Sequence, residues 1–254
     1  MSIMGSLSNE TRKYAVIAGS GFQGFSEDSA GEIVQTPFGA PSSALREIAF
    51  GALTALLVSR HGDAMLIPPH AINYRANLKA LEQLGVTDIV ALNTVGVISP
   101  DSRPGQLAVP DQIIDYTFGR DHSIYSADSA TLEHIDFTEP LNAVVRRELL
   151  AAAESVDVLC RDGGVYAATQ GPRLESAAEV NKLERDGVDY VGMTAMPEAA
   201  LAMELGMRYA CLSLVVNYAA GRGTKRIHED IEESTLTARM QSMKILKEYF
   251  RIAA

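Results

Sequence analysis

The sequence predicts an α/β fold: one domain with a mixed, largely parallel twisted sheet covered by helices. Three observations carry this. Short apolar runs alternate with amphipathic stretches along the chain, several runs end in glycine- or hydroxyl-rich turns, and no linker rich in Pro, Gly or Ser divides the 254 residues. Residues 1–254 therefore read as a single domain, with 1–12 a flexible N-terminal segment.

Tyr14–Ala18 and Ala52–Ser59 are apolar runs with the character of buried strands, the second leading into Arg60-His61-Gly62. From Asn73 to Leu84, residues Ala76, Leu78, Ala80, Leu81 and Leu84 recur at helical spacing, and Gly85 suits a C-terminal cap. Strands Asp88–Asn93 and Gln112–Tyr116 follow, then a helix over Pro140–Val156 with Leu141, Val144, Val145 and Leu149 on one side. Gly164–Thr169 leads to a helix over Ser176–Asp186. Next come a short strand at Tyr190–Met193, a helix over Pro197–Leu205 ended by Gly206, a strand over Arg208–Val216 and a last helix over Glu232–Phe250.

Hydrophobic residues make up 47% and charged residues 21%, which excludes disorder as the main state. With 22 Lys+Arg against 32 Asp+Glu the net charge is −10, so no global positive field attracts a polyanion, and nucleic acid is not an expected partner. A small anion remains compatible, because local cations and backbone N–H groups act over short range. Cys160 and Cys211 lie in separate apolar segments without metal-ligand spacing and read as buried, reduced thiols; no metal is expected. The first ten residues lack the basic start and apolar run of a signal peptide, and no apolar stretch reaches membrane-spanning length. A cytoplasmic protein with no membrane partner is expected.

In α/β sheets ligands bind beyond the carboxyl ends of the strands. Gly19-Ser-Gly-Phe-Gln-Gly24 matches a dinucleotide fingerprint, but the polar, glycine-containing Phe25–Gly31 that follows has no helical periodicity. The turn is better suited to holding an anion with Ser20 and backbone N–H groups. Arg60 and His61 set a guanidinium beside an imidazole at a strand end, a pair suited to phosphate or carboxylate. Asn93-Thr-Val-Gly96 and Gly192-Met-Thr-Ala-Met-Pro-Glu198 are further strand-to-turn junctions rich in donors.

These segments, with Asn73-Tyr-Arg-Ala-Asn77 and Gly171-Pro-Arg173, occur in an order that resembles the trimeric purine nucleoside phosphorylase superfamily, in particular its 5′-methylthioadenosine and S-methyl-5′-thioinosine phosphorylase branch. The resemblance implies the nucleoside phosphorylase fold, a homotrimer and phosphorolysis of a purine nucleoside, with inorganic phosphate as co-substrate and no cofactor. It implies that Ser20, Arg60, His61, Asn93, Thr94 and Thr194 hold phosphate and that Met193 lies under the ribose. It also implies that His134 enters a neighbouring subunit's site.

In the base pocket, the adenine-specific enzymes carry Asp-x-Asp where this chain has Asn217 and Ala219, and the 6-oxopurine enzymes carry a Glu matching Glu175. Leu174 stands where a stacking aromatic is expected. Chemistry supports the same choice: an amide N–H from Asn217 suits the O6 of hypoxanthine, and a Glu175 carboxylate accepts from its N1–H, a hydrogen adenine lacks. Asn217, Glu175 and His61 are the candidate catalytic groups. Met65, following Arg60-His61, offers thioether surface for a 5′-methylthio group. The expected reaction converts S-methyl-5′-thioinosine and phosphate into hypoxanthine and 5-methylthio-α-D-ribose 1-phosphate, in purine salvage. The alternatives are a 5′-methylthioadenosine phosphorylase, a general 6-oxopurine nucleoside phosphorylase, and a non-catalytic nucleoside- or dinucleotide-binding module.

Overall fold

The computed structural model describes residues 12–20, 22, 31–223 and 227–253, the side chains of 227–232 excepted. Ten strands and five helices follow one another in the order β1 Tyr14–Ala18, β2 Arg46–Phe50, β3 Leu53–Ser59, α1 Tyr74–Gln83, β4 Asp88–Val97, β5 Leu107–Val109, β6 Gln112–Asp115, α2 Ala143–Ser155, β7 Cys160–Asp162, β8 Val165–Ala168, α3 Ala177–Arg185, β9 Tyr190–Gly192, α4 Ala195–Glu204, β10 Arg208–Tyr218 and α5 Ile227–Ala253.

The main sheet runs β2-β3-β1-β4-β10-β5-β7, and a branch β9-β8-β6 leaves it from β4. Most pairings are parallel; β2 with β3, β10 with β5, and β4 with β9 are antiparallel. Side-chain alternation splits the core by face. Ala15, Ile17, Ile89, Ala91, Tyr209 and Cys211 pack under α1 and α4, whereas Val16, Val90, Leu92, Leu212 and Leu214 pack under α2 and α5. A smaller cluster, including Ala167, Val180, Leu183 and Val191, seats α3 on the branch.

Local chemistry sets the helix ends. Asn73 accepts from the Ala76 N–H at the start of α1, Asn142 from the Val144 and Val145 N–H groups of α2, and Ser176 forms a reciprocal capping box with Glu179 at α3. Gly85 and Gly206, expected as helix stops, sit at φ +77 and +73.

Several expectations need correction. β2, β5 and β7 carry no long apolar run and were not expected as strands. β4 continues to Val97 and β10 to Tyr218, which places Asn217 inside a strand, at an irregularity between Val215 and Asn217. Arg12, assigned to the flexible segment, is anchored: its guanidinium donates to Glu148 at 2.7 and 2.8 Å and to buried Asp88 at 2.7 Å. Residues 1–11 lie outside the described residues, as do Gly21 and 23–30 of the glycine turn. Cys211 is buried and Cys160 only half-buried, and burial, with the Asp162 charge beside Cys160, pushes both thiols up to about 12. No described helix is long and apolar enough to cross a membrane.

One detail of topology positions the site. β1 pairs with β4 only through Ala18 opposite Leu92, and β9 takes up the same strand from Gly96. Asn93, Thr94 and Val95 therefore have β10 on one edge and, among the described residues, no strand on the other. A crevice opens where β4 changes neighbours.

Candidate active site

A cavity of about 350 Å³ occupies this crevice, lined among others by Ser20, Arg60, His61, Thr94, Leu174, Glu175, Met193, Thr194, Asn217 and Ala219. Ten of the thirteen residues singled out by sequence thus share one cavity. Asn93, Met65 and His134 do not line it.

Several of its donors are hydroxyls. Ser20 Oγ and Thr94 Oγ1 lie 3.0 Å apart across the gap between β1 and β4. Asn93, expected at the ligand, is buried one layer below and donates from Nδ2 to Thr194 Oγ1 at 2.8 Å. Because Thr194 Oγ1 accepts from Asn93, its own hydrogen is directed elsewhere. The Thr194 N–H donates to the Tyr166 hydroxyl at 3.4 Å.

Arg60 requires a second correction. It is fully buried, and its planar fork is committed to Glu198, with Nε to Oε1 at 2.8 Å and Nη2 to Oε2 at 2.7 Å. Nη1 donates to the Leu92 carbonyl at 2.9 Å. The Nε–Nη2 edge is thereby closed to an anion, and what Arg60 has left to offer is one hydrogen on each of Nη1 and Nη2. Glu198 also accepts from the Tyr209 hydroxyl at 2.8 Å, so a buried ionic triad stands behind the hydroxyl cradle. Gly19 is required beside it, since a Cβ there would lie 2.8 Å from Arg60 Nη1 and 2.6 Å from the Leu92 carbonyl oxygen.

His61 Nδ1 lies 2.8 Å from the Ile67 carbonyl, which fixes the proton on Nδ1 and leaves Nε2 as the available nitrogen. Burial, with the Arg60 charge next to it, holds this imidazole below its ordinary value of 6.5, so it is neutral at neutral pH. Met65 follows in a tight turn, with its N–H donating to the Gly62 carbonyl at 3.0 Å and φ of 54. The chain reverses at the end of β3, and this reversal carries position 65 past the strand end that holds positions 60 and 61. Met65 is therefore removed from the set of cavity residues. His134 is exposed, in a long irregular segment between β6 and α2.

The same cavity is also lined by a carboxylate and an amide. Thr169 Oγ1 donates to Glu175 Oε1 at 2.7 Å, which orients the carboxylate and leaves Oε2 as a free acceptor. Asn217 Nδ2 donates to the Tyr218 carbonyl at 2.8 Å, so the amide orientation is set with one N–H and Oδ1 uncommitted. Met193 also lines the cavity, its sulfur against Gly171, where φ is +60 and an added Cβ would overlap that sulfur.

Sequence reasoning missed several residues here. Pro69 and Thr235 line the cavity, and the Thr235 Oγ1 is buried without a hydrogen-bond partner. Glu198 appeared only as part of a motif. Its role was readable in principle, because a carboxylate in an otherwise apolar helical segment implies a buried cation partner.

A phosphorylase superfamily model matches residues 13–251. A probable S-methyl-5′-thioinosine phosphorylase from Xanthomonas campestris is 48% identical over 190 residues, covering 75% of this chain and 76% of the relative. A 6-oxopurine nucleoside phosphorylase from Pyrococcus furiosus is 40% identical over 228 residues, covering 87% and 85%. Among solved structures, a methylthioadenosine phosphorylase from Schistosoma mansoni in complex with tubercidin superposes with a TM-score of 0.87 at 31% identity, covering 95% of this chain and 92% of that one. With a family match spanning nearly the whole chain, a relative 48% identical over three quarters of it and a solved structure that superposes over 95% of it, the chain belongs to the phosphorylase superfamily.

Proposed function

We propose that the protein is an S-methyl-5′-thioinosine phosphorylase, converting that nucleoside and inorganic phosphate into hypoxanthine and 5-methylthio-α-D-ribose 1-phosphate. One observation carries this reading: a single cavity is lined both by the hydroxyls and guanidinium of Ser20, Thr94, Thr194 and Arg60 and by an oriented Glu175 and Asn217. The names of the relatives in Xanthomonas campestris and Pyrococcus furiosus support a 6-oxopurine substrate.

Hydrogen phosphate sits against Ser20, Thr94 and Thr194, with the Arg60 Nη1 hydrogen behind it. The neutral Nε2 of His61 accepts from its hydroxyl. As the C1′–N9 bond breaks, its electron pair passes into the purine and positive charge builds on the ribose, as in glycoside cleavage. A phosphate oxygen then bonds to C1′. Glu175 Oε2 accepts from N1–H and the free Asn217 N–H donates to the oxygen or nitrogen that gains electron density, so the base leaves stabilised. Phosphate is a co-substrate and this chemistry calls for no organic cofactor. Met193 packs against the ribose, and Leu174 and Ala219 border the base.

The 5′-methylthio preference rests on the relatives' names, since Met65 does not reach the cavity. We assign His134 to a neighbouring subunit's site in a cyclic trimer, a reading supported by its exposure away from its own chain's cavity. Cytoplasmic localisation is part of the same proposal. A panel of methylthioinosine, methylthioadenosine and inosine, each with and without phosphate, tests the assignment. Phosphate-dependent turnover with methylthioinosine preferred is expected; equal turnover of methylthioadenosine, or turnover without phosphate, refutes it. Co-expressing a Glu175→Ala chain with a His134→Ala chain restores activity that neither has alone if the trimer shares its sites.

A further inference from the structure

We propose that Arg120 is a positioning residue that fixes the nucleoside-binding wall of the cavity from behind, without touching the ligand. It is not among the lining residues, and the inference rests on the reading of the cavity as a nucleoside site. The chain reverses at Gly119, where φ is +66, and brings the half-buried Arg120 side chain inward.

All five of its N–H groups are engaged, and every acceptor is a neutral oxygen. Nη1 donates to the carbonyls of Met193 at 2.8 Å and Met196 at 2.7 Å, and reaches the Tyr74 hydroxyl at 3.3 Å. Nη2 donates to the carbonyls of Thr169 at 3.2 Å and Gln170 at 2.8 Å, and Nε to Gln170 Oε1 at 3.1 Å. Tyr74 passes the connection on by donating to the Pro69 carbonyl at 3.0 Å.

The carbonyl acceptors belong to two segments that supply the wall, 169–175 and 193–196, and Tyr74 links the guanidinium to a third at Pro69. Met193 and Pro69 line the cavity themselves, and Leu174 and Glu175 follow directly on the clamped turn. None of these segments is paired along its length as a strand, the last running into the start of α4, so the guanidinium does for them what a ladder does for strands. A planar five-donor fork is needed for that many divergent carbonyls, and an ammonium with three donors cannot span them.

The phosphate cradle is held by other bonds. Thr194 is fixed by Asn93 and Tyr166, Arg60 by Glu198 and Leu92, and Ser20 faces Thr94. Arg120 therefore acts on one substrate more than the other.

The test measures separate KM values for methylthioinosine and phosphate in Arg120→Ala, Arg120→Lys and Glu175→Ala, beside thermal melting. Arg120→Ala is expected to raise the nucleoside KM about tenfold or more while the phosphate KM stays within about twofold, as loss of preorganisation predicts. Millimolar guanidinium is expected to recover part of the loss, and Arg120→Lys to remain impaired. If Arg120→Ala does not fold, the same KM split is read in Arg120→Lys. Unchanged kinetics in the Arg120 variants, or a proportional loss for both substrates that tracks the melting temperature, overturns the proposal. Should Glu175→Ala raise the nucleoside KM while the Arg120 variants do not, only the positioning role falls. Should neither raise it, the nucleoside reading of the cavity falls with it.

Discussion

Replacing Glu198 by Gln is the most demanding test of the ionic triad behind the hydroxyl cradle. The Glu198 carboxylate accepts three bonds of 2.7 to 2.8 Å, two from Arg60 and one from Tyr209, and both charged side chains are wholly inaccessible to solvent. A Gln of nearly the same shape keeps the packing but presents an NH₂ to one of these donors and leaves the guanidinium charge unpaired. Breaking a buried pair from one side costs about 3–5 kcal/mol, most of it the penalty on the remaining charge. For a chain of this length each kcal/mol moves the melting temperature by about 2–4 °C, so a fall on the order of 10 °C is expected. Calorimetry at fixed protein concentration and without substrate measures it, since either ligand raises apparent stability. The double variant Arg60→Met with Glu198→Leu removes both charges and is expected to melt above Glu198→Gln, though it loses the proposed phosphate contact. A Glu198→Gln melting temperature within about 2 °C of the parent, or a double variant less stable than both single ones, refutes the argument.

Two further outcomes follow from the site. Asn217→Asp sets a carboxylate against O6 and is expected to lower kcat/KM for methylthioinosine by about tenfold to a hundredfold, roughly 1–3 kcal/mol, while improving methylthioadenosine; an unchanged ratio of the two substrates refutes the base assignment. Because burial and Arg60 depress His61 below 6.5, the unfolded chain takes up that proton first as pH falls. The His61 contribution is thus present above pH 6.5 and is lost as pH falls through the lower folded value. Urea midpoints measured across that window should fall more steeply for the parent than for His61→Gln, and parallel slopes would remove this contribution.

Much of the fold was legible because its signals are local. The α1 boundary follows from Asn73 and Gly85, and β1 from five consecutive apolar residues. Of the strands without a sequence signal, β5 and β7 are three residues long and β2 is the five-residue Arg46–Phe50, whose first two residues are charged; their pairing is set by tertiary position. The site shows the same division. Ser20, Thr94, Thr194, Glu175 and Asn217 belong to motifs that the sequence marks as strand ends or turns and could be picked out one by one, although Thr94 and Asn217 lie inside strands. The commitment of Arg60 to Glu198 spans 138 positions and has no periodicity to betray it. Arg120, lying in a segment without apolar pattern, gave no signal; its bonds go to backbone carbonyls, whose positions no side-chain sequence records. Met65 shows the converse error, since nearness in sequence to Arg60 and His61 did not survive two turns of chain.

The interruption beside Asn93–Val95 has one more consequence. Leu92 turns its carbonyl to Arg60, and the two-residue period of a strand turns the N–H and C=O of Thr94 the same way, toward the crevice. β4 therefore owns a short stretch of unpaired edge in the middle of the molecule. Exposed at the rim of a sheet, such an edge would be a template for another chain's strand and a route to aggregation. Here Ala18 closes one side and β9 the other, and the open stretch between them is only Asn93 to Val95.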